Sequence, residues 1–322
     1  MSEPSAALRI VAAPAMLVAG GLIAGQSQIN GRLAHEIGSG ARAGFAAAVI
    51  SFGTGLVVVA AITAALPHGR AGHRAIHLAR REGRLRPVEL VGGALGAFLV
   101  ATQGITVGTI GVALFSVAVT AGQSSSALLV DHRGLGPSGH QAFSTPRAVA
   151  ASFAVLAVIL ATSERLVDSF DLKVAAFALL PLLAGVGSSF QQALNGRVSA
   201  VGGPWPTTLN NFAVGTVVLV VALALSFLAP GHLDGLPHTW WLYAGGTMGV
   251  VVIWLAAALV RVHGVLVLGL SMIAGQVIGA ELIEVLGSEA HVGIVGVVAG
   301  ALTVAGVLVA LLLRPRTTPG HD

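Results

Sequence analysis

Ten apolar runs, each about 20 residues long, follow one another along this chain, and that length matches the roughly 30 Å hydrocarbon core of a bilayer. They lie at 8–31, 43–66, 88–107, 109–130, 147–163, 174–196, 206–228, 240–260, 263–286 and 291–313. Continuous runs of this length indicate helices, because a membrane barrel is built from segments of about ten alternating residues. Only residues 108–111 separate the third run from the fourth. Composition agrees with the runs: 55% of the 322 residues are hydrophobic and 9% are charged, against about 25% charged in a soluble domain. The first run is too long and too polar at its end for a cleaved signal peptide, so it is read as a retained first span. The expected fold class is an all-α polytopic membrane protein with ten transmembrane helices.

Charge sets the orientation. Arg70, Arg74, Arg80, Arg81, Arg84 and Arg86 crowd between the second and third runs, and the positive-inside rule puts that loop, and with it both termini, in the cytoplasm. Of all the basic residues, that topology leaves only Arg32, Arg42, Arg165 and Lys173 outside. No aromatic-basic motif accompanies the arginines, which argues against nucleic acid as a partner and for the lipid bilayer. His73 and His77 stand four apart in the same loop, a spacing that can hold a metal on a helical face. With no third ligand near, an amphipathic helix lying on an anionic leaflet is the plainer reading, and no metal is expected. The absence of cysteine excludes disulfides and thiolate metal ligands.

The chain also repeats itself. "GQSQINGRL" at 25–33 is echoed at a shift of 165, pairing Gln26 with Gln191, Asn30 with Asn195, Gly31 with Gly196 and Arg32 with Arg197. At a shift of 153, residues 92–134 match 245–287 without a gap: Gly92 with Gly245, Gly96 with Gly249, Gly111 with Gly264, and Gln123 with Gln276. Two homologous halves follow, 1–165 and 166–322. Each holds five spans, so the second enters the membrane from the opposite side and the repeats have inverted topology, an architecture typical of secondary transporters.

With "SFGTG" following "GQSQINGRL", then "GVALFSVAVTAGQ" and "DHRGLG", the chain resembles the YdcZ-like inner-membrane exporters of the drug/metabolite transporter superfamily. The resemblance spans nearly the whole chain and implies a ten-helix inverted-repeat exporter of the cytoplasmic (inner) membrane. It supplies no substrate. The second half departs from the pattern, with "NFAVGT" at 211–216 and no "DH" after its last glutamine. The first helix distantly resembles that of the small multidrug resistance proteins, which exchange a cation for protons through a membrane-embedded glutamate. Here that region carries Gln26, Gln28 and Asn30 and no acid, and an amide does not titrate.

Gln26 and Asn30 share one helical face, as do Gln191 and Asn195. Amides left bare in hydrocarbon cost several kcal/mol, so they must face protein or water. The expected depths give two clusters flanking a central cavity, Gln26/Asn30/Gln276 and Gln191/Asn195/Gln123, either binding substrate or tying helices together. Trp254, inside the eighth span and apart from Trp205 at the other face, is a candidate platform for a cationic or planar substrate. Glu281 is the deepest acid and the best position for proton coupling. Asp131, Glu284 and Glu89 lie within about a turn of an interface, where solvated ends are expected.

These residues predict a secondary active transporter, an exporter of a small polar or cationic metabolite working by alternating access. A non-transporting membrane partner or scaffold is the alternative. No HExxH, GxSxG or Walker motif is present, so neither catalysis nor a cofactor is expected. Whether the chain acts alone or as a homodimer is open at this level.

Overall fold

The computed structural model describes residues 6–141, 172–228 and 230–286, together with scattered positions between 145 and 156 and between 298 and 309. Seven long helices carry the described chain: α1 (Ala6–Ile37), α2 (Gly40–Ala65), α3 (Pro67–Arg81), α4 (Gly92–His132), α5 (Leu172–Gly202), α6 (Pro204–Ser226) and α7 (Gly245–Leu286). The fold is therefore all-α. Among the described residues, four stretches are long and apolar enough to cross a membrane: Gly40–Ala65, Pro87–Thr106, Pro204–Ser226 and Trp240–Val262. The expected fifth span, 147–163, falls largely outside the described residues, as does the tenth, 291–313.

At 41 residues, α4 would be a rod about 60 Å long if straight, twice the bilayer core. It is not straight. Gly92 lies against Asn195, while Ser126 donates to Ser189 Oγ at 3.0 Å. In a straight helix those two positions of α4 would be about 50 Å apart, yet their partners on α5 are separated by only about 9 Å. The chain must double back between them, running antiparallel to α5 through Gly92 and Gly96 and parallel to it through Gly122 and Ser126. α7 does the same against α1, from Gly245 beside Asn30 to Gly279 beside Gly21.

The reversal in α7 occurs at Gly264, whose φ of 84° and ψ of 176° break the helix. A side chain at that φ is strained, so glycine is required. The break exposes the first N–H groups of the following segment, and Asp131 at the end of α4 satisfies them: Val265 N donates to Oδ1 at 2.9 Å and Leu266 N to Oδ2 at 3.0 Å. Asp131 is 1% exposed. The expectation of a solvated carboxylate at that helix end is corrected here: the loss of hydration is compensated by two backbone donors and the positive end of a helix dipole.

Among the described residues, the two largest apolar clusters lie between the long helices. One joins α1, the second part of α4, α5 and α7 through Met16, Val130, Val260, Leu266 and Ile273. The other joins α2, the first part of α4, α6 and the first part of α7 around Phe52 and Phe212, whose ring centroids are 5.0 Å apart. Outside the bundle, α3 turns Ile76 and Ala79 onto Leu85 and Val198 and leaves Arg70, Arg74, Arg80 and Arg81 exposed, the pattern of a surface helix. Residues Gly38 and Ser39 pair antiparallel with Leu233 and His232, joining the α1–α2 turn to the loop after α6.

Candidate functional site

On α1 the four-residue spacing of Gln26 and Asn30 places both on the face that meets the start of α7. Asn30 Oδ1 sits so close to Gly245 that a Cβ there would lie 2.6 Å from it, and one on Gly249 would lie 2.9 Å from Gln26 Nε2. The seam depends on glycine because the amides occupy the space that side chains would need. The same construction recurs on α5, where Asn195 Oδ1 lies 2.6 Å from the position of a Cβ on Gly92, and Gln191 Nε2 crowds Gly96. Each contact has its counterpart at the sequence shifts of 165 and 153.

A third element completes each seam. Phe52, Ser51 and Gly55 on α2 correspond, at a shift of 160, to Phe212, Asn211 and Gly215 on α6. Gly246 packs on the Ser51 carbonyl and Gly93 on the Asn211 carbonyl. Here the halves differ. Asn211 Nδ2 donates to Asn195 Oδ1 at 3.1 Å, and Asn211 Oδ1 accepts from Gln191 Nε2 at 3.4 Å. Ser51, in the equivalent place, is too short, and Asn30 Oδ1, Asn30 Nδ2 and Ser51 Oγ are all buried without a hydrogen-bond partner among the described residues.

Gln26, Asn30, Gln191 and Asn195 are therefore buried along two glycine-lined seams. Gln123 and Gln276 stand on the second segments of α4 and α7, and the hydrogen bonds group Gln191 and Asn195 with Asn211 rather than with Gln123. Gln123 Nε2 instead borders Gly269, and its backbone carbonyl accepts from Ser189 Oγ at 2.8 Å. The Gln276 backbone packs on Gly20. Sequence reasoning missed Asn211, although the departure "NFAVGT" marked the spot. It also missed Gln103, 4% exposed, whose Nε2 donates to Ser27 Oγ at 2.8 Å.

Trp254 is not apart from Trp205: their ring centroids are 5.3 Å apart. The separation expected from sequence is corrected by the antiparallel run of α6 past the first segment of α7, which brings Phe212 to Gly249 and, two turns on, Trp205 to Trp254. Trp254 Nε1 is buried and has no partner among the described residues.

At one end of the bundle Arg197, next to the α5 amides, pairs with Glu89 Oε1 at 3.1 Å and donates to the carbonyls of Gly134 and Leu135. Glu89 also accepts from Arg86 N at 2.7 Å and is 8% exposed, so the expectation of a solvated end is corrected here as well. Arg32, the counterpart of Arg197, lies 5.7 Å over the Trp241 ring. His73 and His77 face each other edge-on, ring centroids 5.1 Å apart, and no group of three metal-capable side chains occurs among the described residues. The side chains of Glu281 and Glu284 lie outside the described residues.

A helical membrane protein with polar side chains buried between glycine-packed helices is the class that fold and site define. The chain belongs to the family described as "Putative inner membrane exporter, YdcZ", whose model matches residues 11–160 and 176–313. It is thus a member of an inner-membrane exporter family, built from two repeat-like segments. No curated protein matches the chain. A solved structure described only as the crystal structure of a protein superposes with a TM-score of 0.69 at 17% identity, over 98% of this chain and 100% of its own. That likeness concerns the fold.

Proposed function

We propose that the chain is a secondary active transporter that exports a small polar or cationic metabolite across the cytoplasmic membrane by alternating access of two inverted five-helix repeats, 1–165 and 166–322. The observation that carries this reading is the amide–glycine seam built twice, at Gln26/Asn30 against Gly245/Gly249 and at Gln191/Asn195 against Gly92/Gly96. Two seams built on the same plan, one from each repeat, fit alternate opening to either side of a membrane.

The contacts between loops support the ten-span topology with both termini cytoplasmic. Gly38 and Ser39 pair with Leu233 and His232, and the even number of proposed spans between those two loops is consistent with one shared side, the outer one in this reading. Glu89, Gly134 and Leu135 meet Arg197, and two proposed spans separate each loop from the next, consistent with a shared inner side. In this reading the buried amides and Trp254 meet the substrate, and Glu281 is the position for proton coupling.

A thermal-shift screen of the purified protein against amines, guanidines, sugars and neutral amides, followed by flux into proteoliposomes, tests the reading. A compound that stabilises by mass action and is carried down an imposed gradient supports it. Binding without flux for every hit would favour a non-transporting membrane partner. Flux that does not change with pH would remove Glu281. Because the chain has no cysteine, single cysteines at Gly83 and Gly235 test the topology: the first should label only from the cytoplasm and the second only from outside.

A further inference from the structure

The second half supplies its own carboxamide between Gln191 and Asn195, and the first half lacks one. Asn211 gives Asn195 a donor and takes a hydrogen from Gln191. At the matching place Ser51 leaves Asn30, 2% exposed, with neither its donor nor its acceptor paired among the described residues, and its own hydroxyl likewise. A buried amide in this condition is destabilising, since each unsatisfied polar atom forfeits its hydration and gains nothing. Nothing in the packing demands it, because the same fold satisfies the same position sixteen residues from Asn195 in the other half.

We infer that the Gln26–Asn30–Ser51 niche is a binding site for a small neutral molecule bearing a carboxamide or urea group, which takes the place that the Asn211 side chain fills in the other half. The ligand carbonyl accepts from Asn30 Nδ2 and the Gln26 amide, and its N–H donates to Asn30 Oδ1. An ammonium ion, which only donates, would leave Asn30 Nδ2 unpaired, and a carboxylate, which only accepts, would leave Asn30 Oδ1 unpaired. The amide pattern therefore selects a neutral donor–acceptor pair over either charge. Both Asn30 amide atoms are sealed from solvent, so the ligand enters when α1 separates from Gly245 and Gly249 at the start of α7. The inference rests on the transport reading only for that opening movement.

Melting of the purified full chain, followed by its tryptophan fluorescence, tests the site with acetamide and isobutyramide as probes and methylammonium and acetate as charged controls. Asn30→Leu replaces the amide by an apolar group of similar shape, and Ser51→Asn installs the missing carboxamide. Both are expected to raise the unliganded midpoint by about 2–4 °C and to abolish the shift that the amides produce in the native chain. Asn211→Ser is expected to lower the midpoint and to keep the amide response. Three results would overturn the inference: a lower midpoint for Asn30→Leu, which makes Asn30 a structural tie; an amide response that survives both substitutions; or equal responses to methylammonium or acetate. A native chain that ignores the amides while both variants are stabilised would mark a niche that holds water only, and overturns it as well. Asn30-dependent amide binding without counterflow of labelled acetamide in proteoliposomes would sink the transport reading and leave the site standing.

Discussion

Replacing Asp131 by alanine removes both acceptors at the break in α7, and the structure sets the size of the effect. The Val265 and Leu266 N–H groups lie 2.9 and 3.0 Å from its two carboxylate oxygens, and Val265 and Leu266 are themselves fully buried. Each N–H left without a partner costs about 1–3 kcal/mol, so about 2–6 kcal/mol in all. Neither can recover by extending the helix backward, because Gly264 at φ 84° points the preceding carbonyls elsewhere. At roughly 2 °C per kcal/mol for a chain of this size, the melting midpoint falls by about 4–12 °C. Asp131→Asn keeps one acceptor oxygen and turns an NH2 toward the second donor, so it falls about half as far. Tryptophan fluorescence in detergent reads both, since dyes that need a thiol have none to label. Equal midpoints for the two variants, or both indistinguishable from the native chain, would refute the cap.

Arg197→Gln removes the ion pair to Glu89 and one or more carbonyl contacts; with the Arg197 side chain 41% exposed and that of Glu89 only 10%, a loss of about 1–2 kcal/mol is expected in the same melting assay. Arg32→Gln, which loses only a ring contact among the described residues, should cost less. Gly93→Ala and Gly246→Ala place a Cβ on the Asn211 and Ser51 carbonyls, and both should abolish the folded peak in size-exclusion chromatography. Gly53→Ala, with open space around it, should raise the midpoint, because a helical glycine costs about 0.5–1 kcal/mol relative to alanine. Trp254→Phe removes an N–H that has no partner among the described residues together with part of a ring packed on Trp205, so its midpoint should fall by no more than the roughly 1 kcal/mol that the lost volume costs; a larger fall would mean that the indole N–H is held.

What could be read from the sequence was whatever repeats locally. Apolar length gave the membrane, the constant shifts paired Gly92 with Gly245 and Asn30 with Asn195, and the four-residue spacing put each Gln and Asn on one face. What escaped was contact across long separations. Asp131 looked like a helix end in water because nothing nearby needs a carboxylate; its partners lie 134 and 135 residues away. Trp205 and Trp254 belong to different helices, and only the crossing of α6 and α7 joins them. The grouping of Gln123 and Gln276 with the seam amides rested on depth alone. Depth fixes one coordinate of three: the segments that carry them run along α5 and α1, the helices of the seam amides, with Gln123 Nε2 beside Gly269 and the Gln276 backbone on Gly20.

The deviation between the halves carries more information than their likeness. Equivalent seams would open with equal ease and would hold the protein in neither state. In this chain, Asn211 and the Arg197–Glu89 pair tie the second seam, while the first is closed over an amide that gains nothing from closing. Opening the first seam rehydrates Asn30 and Ser51, whereas opening the second breaks two amide hydrogen bonds and uncovers Glu89. The difference of a few hydrogen bonds, about 1 kcal/mol each, favours one direction of opening about fivefold per bond at room temperature. Exchanging the residues, Ser51→Asn with Asn211→Ser, should reverse the preference. Amide hydrogen exchange reads it: residues 245–255 should exchange faster than 92–102 in the native chain and slower in the exchanged one. Identical rates in both proteins would mean that the third element of each seam does not set which side opens.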